Sequence, residues 1–431
     1  MSAAAWIGVL VFFLGVMASI ALHEVGHLLP AKRFGVRVTQ YMVGFGPTVW
    51  SRQRGETEYG FKAIPLGGYI RMVGMFPAKR NRSGELVFSA TTTGPFQSMI
   101  EDARRSSAEE VAAGEEHRAF YQLPVRHKLI IMLGGPTMNL IIAIVLFTLA
   151  LAVVGVAQPV PKVSAVADCV LSPSATECTA ADASSPAADA GLREGDVITA
   201  LDGQEPASWD QLVQWVRDRP DETVTLTVDR GGEVLTLSAT LAAATVADLD
   251  DPGQTLTAGY LGVSPVIEQV RQPLTAVPAQ MWNFATLSAR AVLSIPSKMV
   301  GVWQAAFSGE ERDTNGPVSL VGVGRFSAEV AQDDAPLGWK SGSMLTLLAS
   351  LNMALFLFNL IPLLPLDGGH VAGALYEGGR RQWARRRHRP DPGPVDVARM
   401  LPVAYSVAIL LIGVSGLLIY ADIVNPIRLG G

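Results

Sequence analysis

The stretch Ile20-Ala21-Leu22-His23-Glu24-Val25-Gly26-His27 has the pattern His-Glu-x-x-His and closes a long apolar run. On a helix, residues four positions apart share one face, so His23 and His27 can bind one metal ion together. Glu24 stands where a general base for a metal-bound water is needed. A pattern this short can also recur by chance, and a pair of histidines can be purely structural. The motif therefore predicts a metal site that needs support from elsewhere in the chain.

The composition is that of a membrane protein. Of the 431 residues, 49% are hydrophobic and only 17% are charged, and the mean hydropathy is +0.29. These values lie on the apolar side of an ordinary globular chain. A net charge of −5 is small for this length and does not favour nucleic-acid binding. The length allows about two or three domains.

Four apolar stretches are long enough to cross a bilayer, which takes about 20 residues. They cover residues 1–30, 129–156, 344–366 and 401–423. The first has no positively charged start and no small-residue cleavage site, so we expect a spanning helix there and not a cleaved signal peptide. The sequence thus predicts a polytopic α-helical membrane protein with four transmembrane helices.

The distribution of basic residues predicts the orientation of these helices. Arg and Lys are dense in residues 31–128 and 377–399, which flank the predicted spans. By the positive-inside rule we expect both segments in the cytoplasm. Both chain termini and the region 159–343 then lie outside, and His23, His27 and Asp367 share the cytoplasmic side. We expect a multi-pass protein of the cell membrane.

The first predicted cytoplasmic segment contains a candidate β-hairpin, residues 38–71, rich in glycine and aromatic residues. Its apolar character beside the membrane predicts that it is membrane-associated, which requires protein or a wet cavity around it. Such a hairpin could hold an extended substrate as an added strand, or it could merely plug the helix bundle. Residues 81–117 are polar without apolar periodicity and predict a flexible insertion.

The predicted outer region has two parts. Residues 159–265 show short strand-like and helical runs, which predict one compact α+β domain. Residues 266–343 are helical in pattern but interrupted by charge, which favours helices on the membrane surface. Cys169 and Cys178 are the two cysteines of the chain. In an oxidising compartment they could form a local disulfide, and the alternative is two free thiols.

Asp367 is the best candidate for a third metal ligand. Catalytic zinc is bound by three protein ligands with one position open for water, and two His plus a carboxylate is a known set. Asp367 follows an apolar run broken by Pro362 and Pro365. An Asp there could instead cap a helix, and His370 is a competing ligand.

Two asparagines and two glycines complete the polar features near the predicted site. Asn359, eight residues before Asp367, could stabilise an oxyanion or hold the substrate backbone. Asn139 lies inside the second span, where it needs a partner and could bind substrate or make an interhelical hydrogen bond. Gly134 and Gly135 permit a close approach between helices.

These features resemble the site-2 proteases, which are intramembrane zinc metalloproteases. The resemblance is closest to bacterial sigma-factor-regulating members with a single PDZ domain, as in actinobacteria. It covers nearly the whole chain and rests on the His23–His27 motif, Gly44-Phe45-Gly46-Pro47, Pro65-Leu66-Gly67-Gly68-Tyr69, Gly135-Pro136 with Asn139, Asn359 through Pro362 and Pro365 to Asp367, and Gly191-Leu192 with Gly195-Asp196-Val197-Ile198.

The resemblance implies roles for individual positions. His23, His27 and Asp367 would bind Zn²⁺, and Glu24 would be the catalytic base. Asn359 would position substrate, and the hairpin would present the substrate strand; we expect Gly44, Phe45, Gly46, Gly67, Gly68 and Asn139 among the substrate-binding residues.

The resemblance also implies a class of substrate. The PDZ-like domain would filter by size and admit single-span membrane proteins, typically anti-sigma factors, after another protease has removed their outer part. A single PDZ-like domain and a long cytoplasmic insertion depart from the better-known tandem-PDZ members.

Three other functions remain as alternatives. A membrane-anchored zinc protease for soluble substrates would take its third ligand from a polar domain, which Asp367 at the end of an apolar run argues against. A non-catalytic scaffold would have no need of Glu24. A metal transporter would need several ionisable residues along its path, which the predicted spans lack.

Overall fold

The computed structural model describes residues 2–77, 95–111, 114–170, 178–179, 182–247, 255–308, 312–313 and 316–427. The chain forms two compact units. One comprises Met1–Val154 together with Gln272–Gly431, and the other comprises Gly155–Arg271.

The first unit is helical. Its helices are α1 (Ala3–Arg33), α2 (Pro95–Glu109), α3 (Val125–Thr148), α6 (Ala276–Phe307), α7 (Leu320–Gln332), α8 (Leu337–Asn359), α9 (Asp367–Arg386) and α10 (Leu401–Val424). Within the described residues, four helical stretches are long and apolar enough to cross a membrane: Ala3–Arg33, Val125–Val154, Leu337–Asn359 and Val397–Val424. This agrees with the four spans predicted from the sequence.

The third span ends earlier than the sequence predicted. Helix α8 stops at Asn359 and not at Leu366, and residues 360–366 form turns. Pro362 and Pro365 account for the difference, because a proline ring cannot donate a helical hydrogen bond and clashes with the preceding turn. The chain therefore leaves the span in a short irregular segment before α9 begins at Asp367.

Helices α1 and α3 pack through glycines. A Cβ atom on Gly134 would lie 2.0 Å from the Gly26 carbonyl oxygen, and one on Gly26 would lie 2.3 Å from the Gly134 oxygen. Neither distance is possible for a real side chain, so the crossing requires glycine on both helices. Small residues at such crossings let backbones approach closely in a membrane. The predicted close approach of the second span is thus observed, and its partner is the motif helix.

The candidate hairpin is present as β1 (Val38–Arg54) and β2 (Thr57–Met72), joined by a two-residue turn. Residues 40–43 have partners in both 58–61 and 68–71, so the two long strands fold into a small curled sheet. Tyr41 in this sheet donates a hydrogen bond to the Ala21 carbonyl oxygen of α1 at 2.9 Å. The sheet is thereby attached to the helix that carries the His-Glu-x-x-His motif. Its association with the membrane stays a prediction.

Two segments that the sequence predicted to lack regular secondary structure contain helices. Residues 81–94 of the predicted flexible insertion lie outside the described residues, but residues 95–109 form α2. Buried Arg104 on α2 forms ion pairs with Glu101 and Asp396. The pair with Asp396 connects α2 to the segment before α10. Helix α9 continues to Arg386, well into the segment 377–399 that was predicted as a loop.

The second unit is an α+β domain, as predicted. Its elements are β3 (Val156–Val166), α4 (Pro186–Asp189), β4 (Val197–Leu201), α5 (Trp209–Arg217), β5 (Thr223–Arg230), β6 (Glu233–Thr240), β7 (Ala242–Ala247), β8 (Thr255–Tyr260) and β9 (Val263–Val270). The five-stranded sheet has the order β6-β5-β4-β3-β9, and a separate hairpin is formed by β7 and β8. Leu212 and Leu226 belong to its apolar core. Cys169 and Cys178 form a disulfide, which was one of the two predicted alternatives.

Candidate active site

Three donor atoms from opposite ends of the sequence converge at one point. Nε2 of His23 lies 3.3 Å from Nε2 of His27, and Oδ2 of Asp367 lies 3.4 Å and 3.3 Å from these two nitrogens. Among the described residues, these three form the group of His, Cys, Asp and Glu side chains that could hold a metal ion. Helix α1 supplies the two imidazoles, and the first residue of α9 supplies the carboxylate.

The dimensions of this triangle fit zinc. Zinc–ligand distances of about 2.0–2.1 Å in a tetrahedron put neighbouring donors about 3.3–3.4 Å apart. Asp367 Oδ2 is buried, and among the described residues it has no hydrogen-bond partner apart from these imidazoles. An unpaired buried carboxylate oxygen is costly unless something positive faces it. Two imidazole nitrogens, one carboxylate and space for water form the donor set of a catalytic zinc.

A backbone carbonyl orients His27. Its Nδ1 lies 2.7 Å from the carbonyl oxygen of Ile131 on α3. A carbonyl can only accept, so Nδ1 carries the proton and Nε2 presents its lone pair to the triangle. Zinc-binding histidines are commonly held this way by a partner on the other ring nitrogen. Sequence reasoning missed Ile131, because any residue type can offer a carbonyl.

Asn139 orients His23 in the same manner. Its side-chain amide lies 3.1 Å from His23 Nδ1, and Asn139 is 1% exposed. In the structure the NH₂ group faces the ring, and Oδ1 has no hydrogen-bond partner among the described residues. Oxygen and nitrogen of an amide are assigned from their hydrogen bonds, and exchanging them lets Oδ1 accept from Nδ1–H. Of the two predicted roles, the structure places Asn139 in an interhelical hydrogen bond, to a metal-ligand candidate.

Gly135 lies directly in front of the donor nitrogens of the two histidines. A Cβ atom on Gly135 would lie 2.2 Å from His27 Nε2 and 2.7 Å from His23 Nε2. The space that any side chain would occupy is therefore the space in front of both donor nitrogens. The sequence pattern explained Gly135 only by close helix packing. The structure adds that this glycine leaves room for whatever the histidines bind.

Glu24 lies beside the triangle without belonging to it. Its side chain is buried and faces the backbone of Ile70 in β2. A Cβ atom on Gly68 would lie 3.0 Å from Glu24 Cγ, so the sheet approaches Glu24 at a residue without a side chain. A carboxylate next to a metal site but outside its ligand set is placed to move a proton.

The remaining predicted residues lie on α8, on α9 and in the curled sheet. Asn359 is the last residue of α8 and is half-buried. Gly44, Gly46 and Gly67 have positive φ values in the curled sheet, and the Phe45 ring packs over Gly67. His370, the predicted competing ligand, is outside the donor group and lines a small cavity with Lys128 and Glu377.

The chain is similar over most of its length to known proteins. The family model "Peptidase family M50" matches residues 11–390. "Zinc metalloprotease Rip1" of Mycobacterium tuberculosis is 32% identical over 440 residues, covering 98% of this chain and 98% of that protein. The protein of the same name from Mycolicibacterium smegmatis is 33% identical over 444 residues, with the same coverage. Among solved structures, the PDZ domain of the SdrC-like protein from Listeria monocytogenes matches with a TM-score of 0.16 at 20% identity, covering 25% of this chain and 88% of that one.

Proposed function

The chain belongs to peptidase family M50, and from this premise we propose that it hydrolyses a peptide bond within or near the transmembrane segment of single-span membrane proteins. It is a zinc metallopeptidase with helices suited to a membrane. The observation that carries the proposal is the meeting of His23, His27 and Asp367 next to Glu24, in the C-terminal half of an apolar helix. Such a location suits a substrate that is itself a membrane helix.

Each residue of the site has a part in the proposed reaction. His23, His27 and Asp367 hold the zinc, which when bound polarises the peptide carbonyl and acidifies water. Glu24 takes the proton from the attacking water and passes it to the departing amine nitrogen. The carbonyl of Ile131 and the amide of Asn139 keep the two imidazoles in the tautomer that leaves Nε2 unprotonated.

The curled sheet of β1 and β2 is proposed to hold the substrate. A helical substrate hides its carbonyls in its own hydrogen bonds, so it must unwind before it can be cleaved. Strand addition to a sheet would keep it extended. The approach of Gly68 to Glu24 supports this role. We assign Gly44, Phe45 and Gly46 to the same binding surface and Asn359 to the oxyanion or the substrate backbone.

We propose the following biological setting. The substrates are of the anti-sigma-factor type and are cut only after another protease has shortened their outer part. The active site faces the cytoplasm, since basic residues are dense in the segments that follow α1 and precede α10. The Cys169–Cys178 disulfide supports an extracytoplasmic location for the unit Gly155–Arg271, proposed as a PDZ-like size filter.

Zinc analysis combined with a cleavage assay tests the proposal. The full chain in detergent would be given two forms of one single-span substrate, with and without its outer domain. We expect one zinc per chain and cleavage of the shortened form at a bond inside its span. Equal cleavage of a soluble peptide that has no span would favour a membrane-anchored protease of ordinary substrates.

A further inference from the structure

A second cluster of buried charge lies away from the metal-ligand candidates. Lys128 on α3 donates to both carboxylate oxygens of Glu377 on α9, at 2.8 Å and 3.0 Å. The two residues are only 4% and 2% exposed. Glu377 also forms an ion pair with Arg381 at 3.1 Å and accepts a hydrogen bond from the backbone N–H of Val395 at 3.1 Å.

This cluster is not explained by stability alone. Removing two charges from water costs several kcal/mol for each ion, and a well-packed apolar pair of similar size is often as stable or more stable. Buried ion pairs of good geometry do, however, fix the register of the elements that they join. In the part of the chain that the structure describes, neither Lys128 nor Glu377 belongs to the metal-ligand group, and neither forms a hydrogen bond or ion pair with Glu24.

The two helices joined by this pair are the ones that complete the metal site. Lys128 lies one turn before Ile131, whose carbonyl holds His27. Glu377 lies ten residues after Asp367 on the same helix, about 15 Å along its axis. Upstream of Asp367, α9 is connected to α8 only through the turns of residues 360–366. The position of Asp367 along the α9 axis therefore depends on contacts of α9 with other elements.

We propose that Lys128 and Glu377 are positioning residues that fix α9 against α3 and so hold Asp367 Oδ2 at ligand distance from His23 and His27. The pair acts on zinc affinity through the helix, without touching the ion. The 395–396 segment extends the connection, since Val395 donates to Glu377 and the adjacent Asp396 pairs with Arg104 of α2. This inference rests on the zinc site of the proposed function.

The test measures zinc affinity of the full chain in detergent by competition with a chelator, together with the thermal unfolding temperature. Glu377→Gln should lower zinc affinity about tenfold, the lower end of the effect of residues that orient metal ligands. Because Glu377→Gln leaves Lys128 buried and unpaired, the double variant Lys128→Met/Glu377→Met is measured in parallel. It should unfold at nearly the wild-type temperature and still bind zinc more weakly than the wild type.

Asp422→Asn is the matched control. It removes the charge from another buried ion pair, between Asp422 of α10 and Arg312, and leaves one side-chain oxygen to accept from both Arg312 and the Ser319 N–H. It should lower the unfolding temperature and leave zinc affinity unchanged. Wild-type zinc affinity in the Glu377→Gln and double variants would overturn the inference, as would an equal loss of affinity in Asp422→Asn. A wild-type chain that binds no zinc would instead overturn the proposed function.

Discussion

The two units of the chain differ in what they expose and what they bury. In Gly155–Arg271 the buried residues are mainly apolar, and Leu226 in the core is 0% exposed. In the helical unit, Ile412 on α10 is 72% exposed, while Glu377 and Asn352 are buried. Apolar contact discriminates poorly between helices in lipid, so packing there depends on small residues and hydrogen bonds. The helical unit should therefore be most sensitive to substitutions of glycines and buried polar residues. The unit Gly155–Arg271 should be most sensitive to substitutions in its apolar core and its ion pairs.

Gly135→Ala should produce the largest effect. The added Cβ would lie close to both Nε2 atoms. We therefore expect zinc affinity to fall about 100-fold or more, the upper end of the loss seen when residues that support metal ligands are replaced. Gly8→Ala is the control, because its Cβ would lie 2.4 Å from the Ser327 carbonyl oxygen at another tight helix contact. The control should lower stability without changing zinc affinity. A Gly135→Ala variant with full zinc affinity would contradict the geometry described for the donor triangle.

Asn139→Ala should produce the next largest effect. Without the amide, His23 loses the partner of its Nδ1, and we expect zinc affinity to fall about 10- to 100-fold. Asn352→Ala provides a matched comparison, since Asn352 is buried and donates to Ser19 Oγ at 2.9 Å in another interhelical hydrogen bond. Chelator competition on both variants would separate the roles. Equal zinc affinity in the two would show that Asn139 only joins helices.

Asp196→Asn should produce the smallest effect, confined to the second unit. The Arg230 guanidinium hydrogen bonds to Asp196 at 2.8 Å and lowers the pKa of this carboxyl, and the backbone N–H of Arg193 also donates to it. We expect the free energy of unfolding of this unit to fall by about 1 kcal/mol at pH 7. Hydrogen exchange of the amides in Gly155–Arg271 of the full chain would measure the change.

The sign of the pH dependence follows from the lowered pKa of Asp196. A carboxyl with a lowered pKa in the native state stabilises the fold above its unfolded pKa of about 4, and this contribution is lost as the pH falls through the native pKa. The difference between wild type and Asp196→Asn should therefore shrink below about pH 4. Lys162→Met, which removes an exposed ion pair with Glu268, should have almost no effect at either pH. A constant difference across this pH range would exclude the Arg230 pairing as its source.

The parts of the structure that could be predicted from the sequence are those with a local signal. Apolar runs indicated the four candidate spans, alternation and turn residues indicated the β1–β2 sheet, and a short motif indicated His23 and His27. Asp367 could be proposed as a third ligand because topology places the ends of the first and third spans on one side. The structure brings these three side chains together.

The parts that could not be predicted depend on contacts between distant residues. Lys128 and Glu377 are 249 positions apart, and each reads as an ordinary surface charge until the helices are packed. The Ile131 carbonyl could not be predicted either, because a backbone carbonyl is present at every residue type. Helix α2 is a short helix within a polar segment, and the second half of α9 is rich in arginine, so both were predicted as loops, although Arg104 and Glu377 pack into buried ion pairs. In the helical unit, the buried polar residues that form and support the site are therefore the hardest feature to predict from the sequence.

The most direct test of the site is the comparison of zinc content and cleavage in wild type and Glu24→Gln. Glu24 lies beside the donor triangle and outside it, so the variant should retain one zinc per chain with wild-type affinity. Its cleavage of a shortened single-span substrate should fall by about 100- to 10,000-fold, the usual contribution of a general base. Cleavage at the wild-type rate, or loss of zinc together with activity, would contradict the assignment of Glu24 as the base.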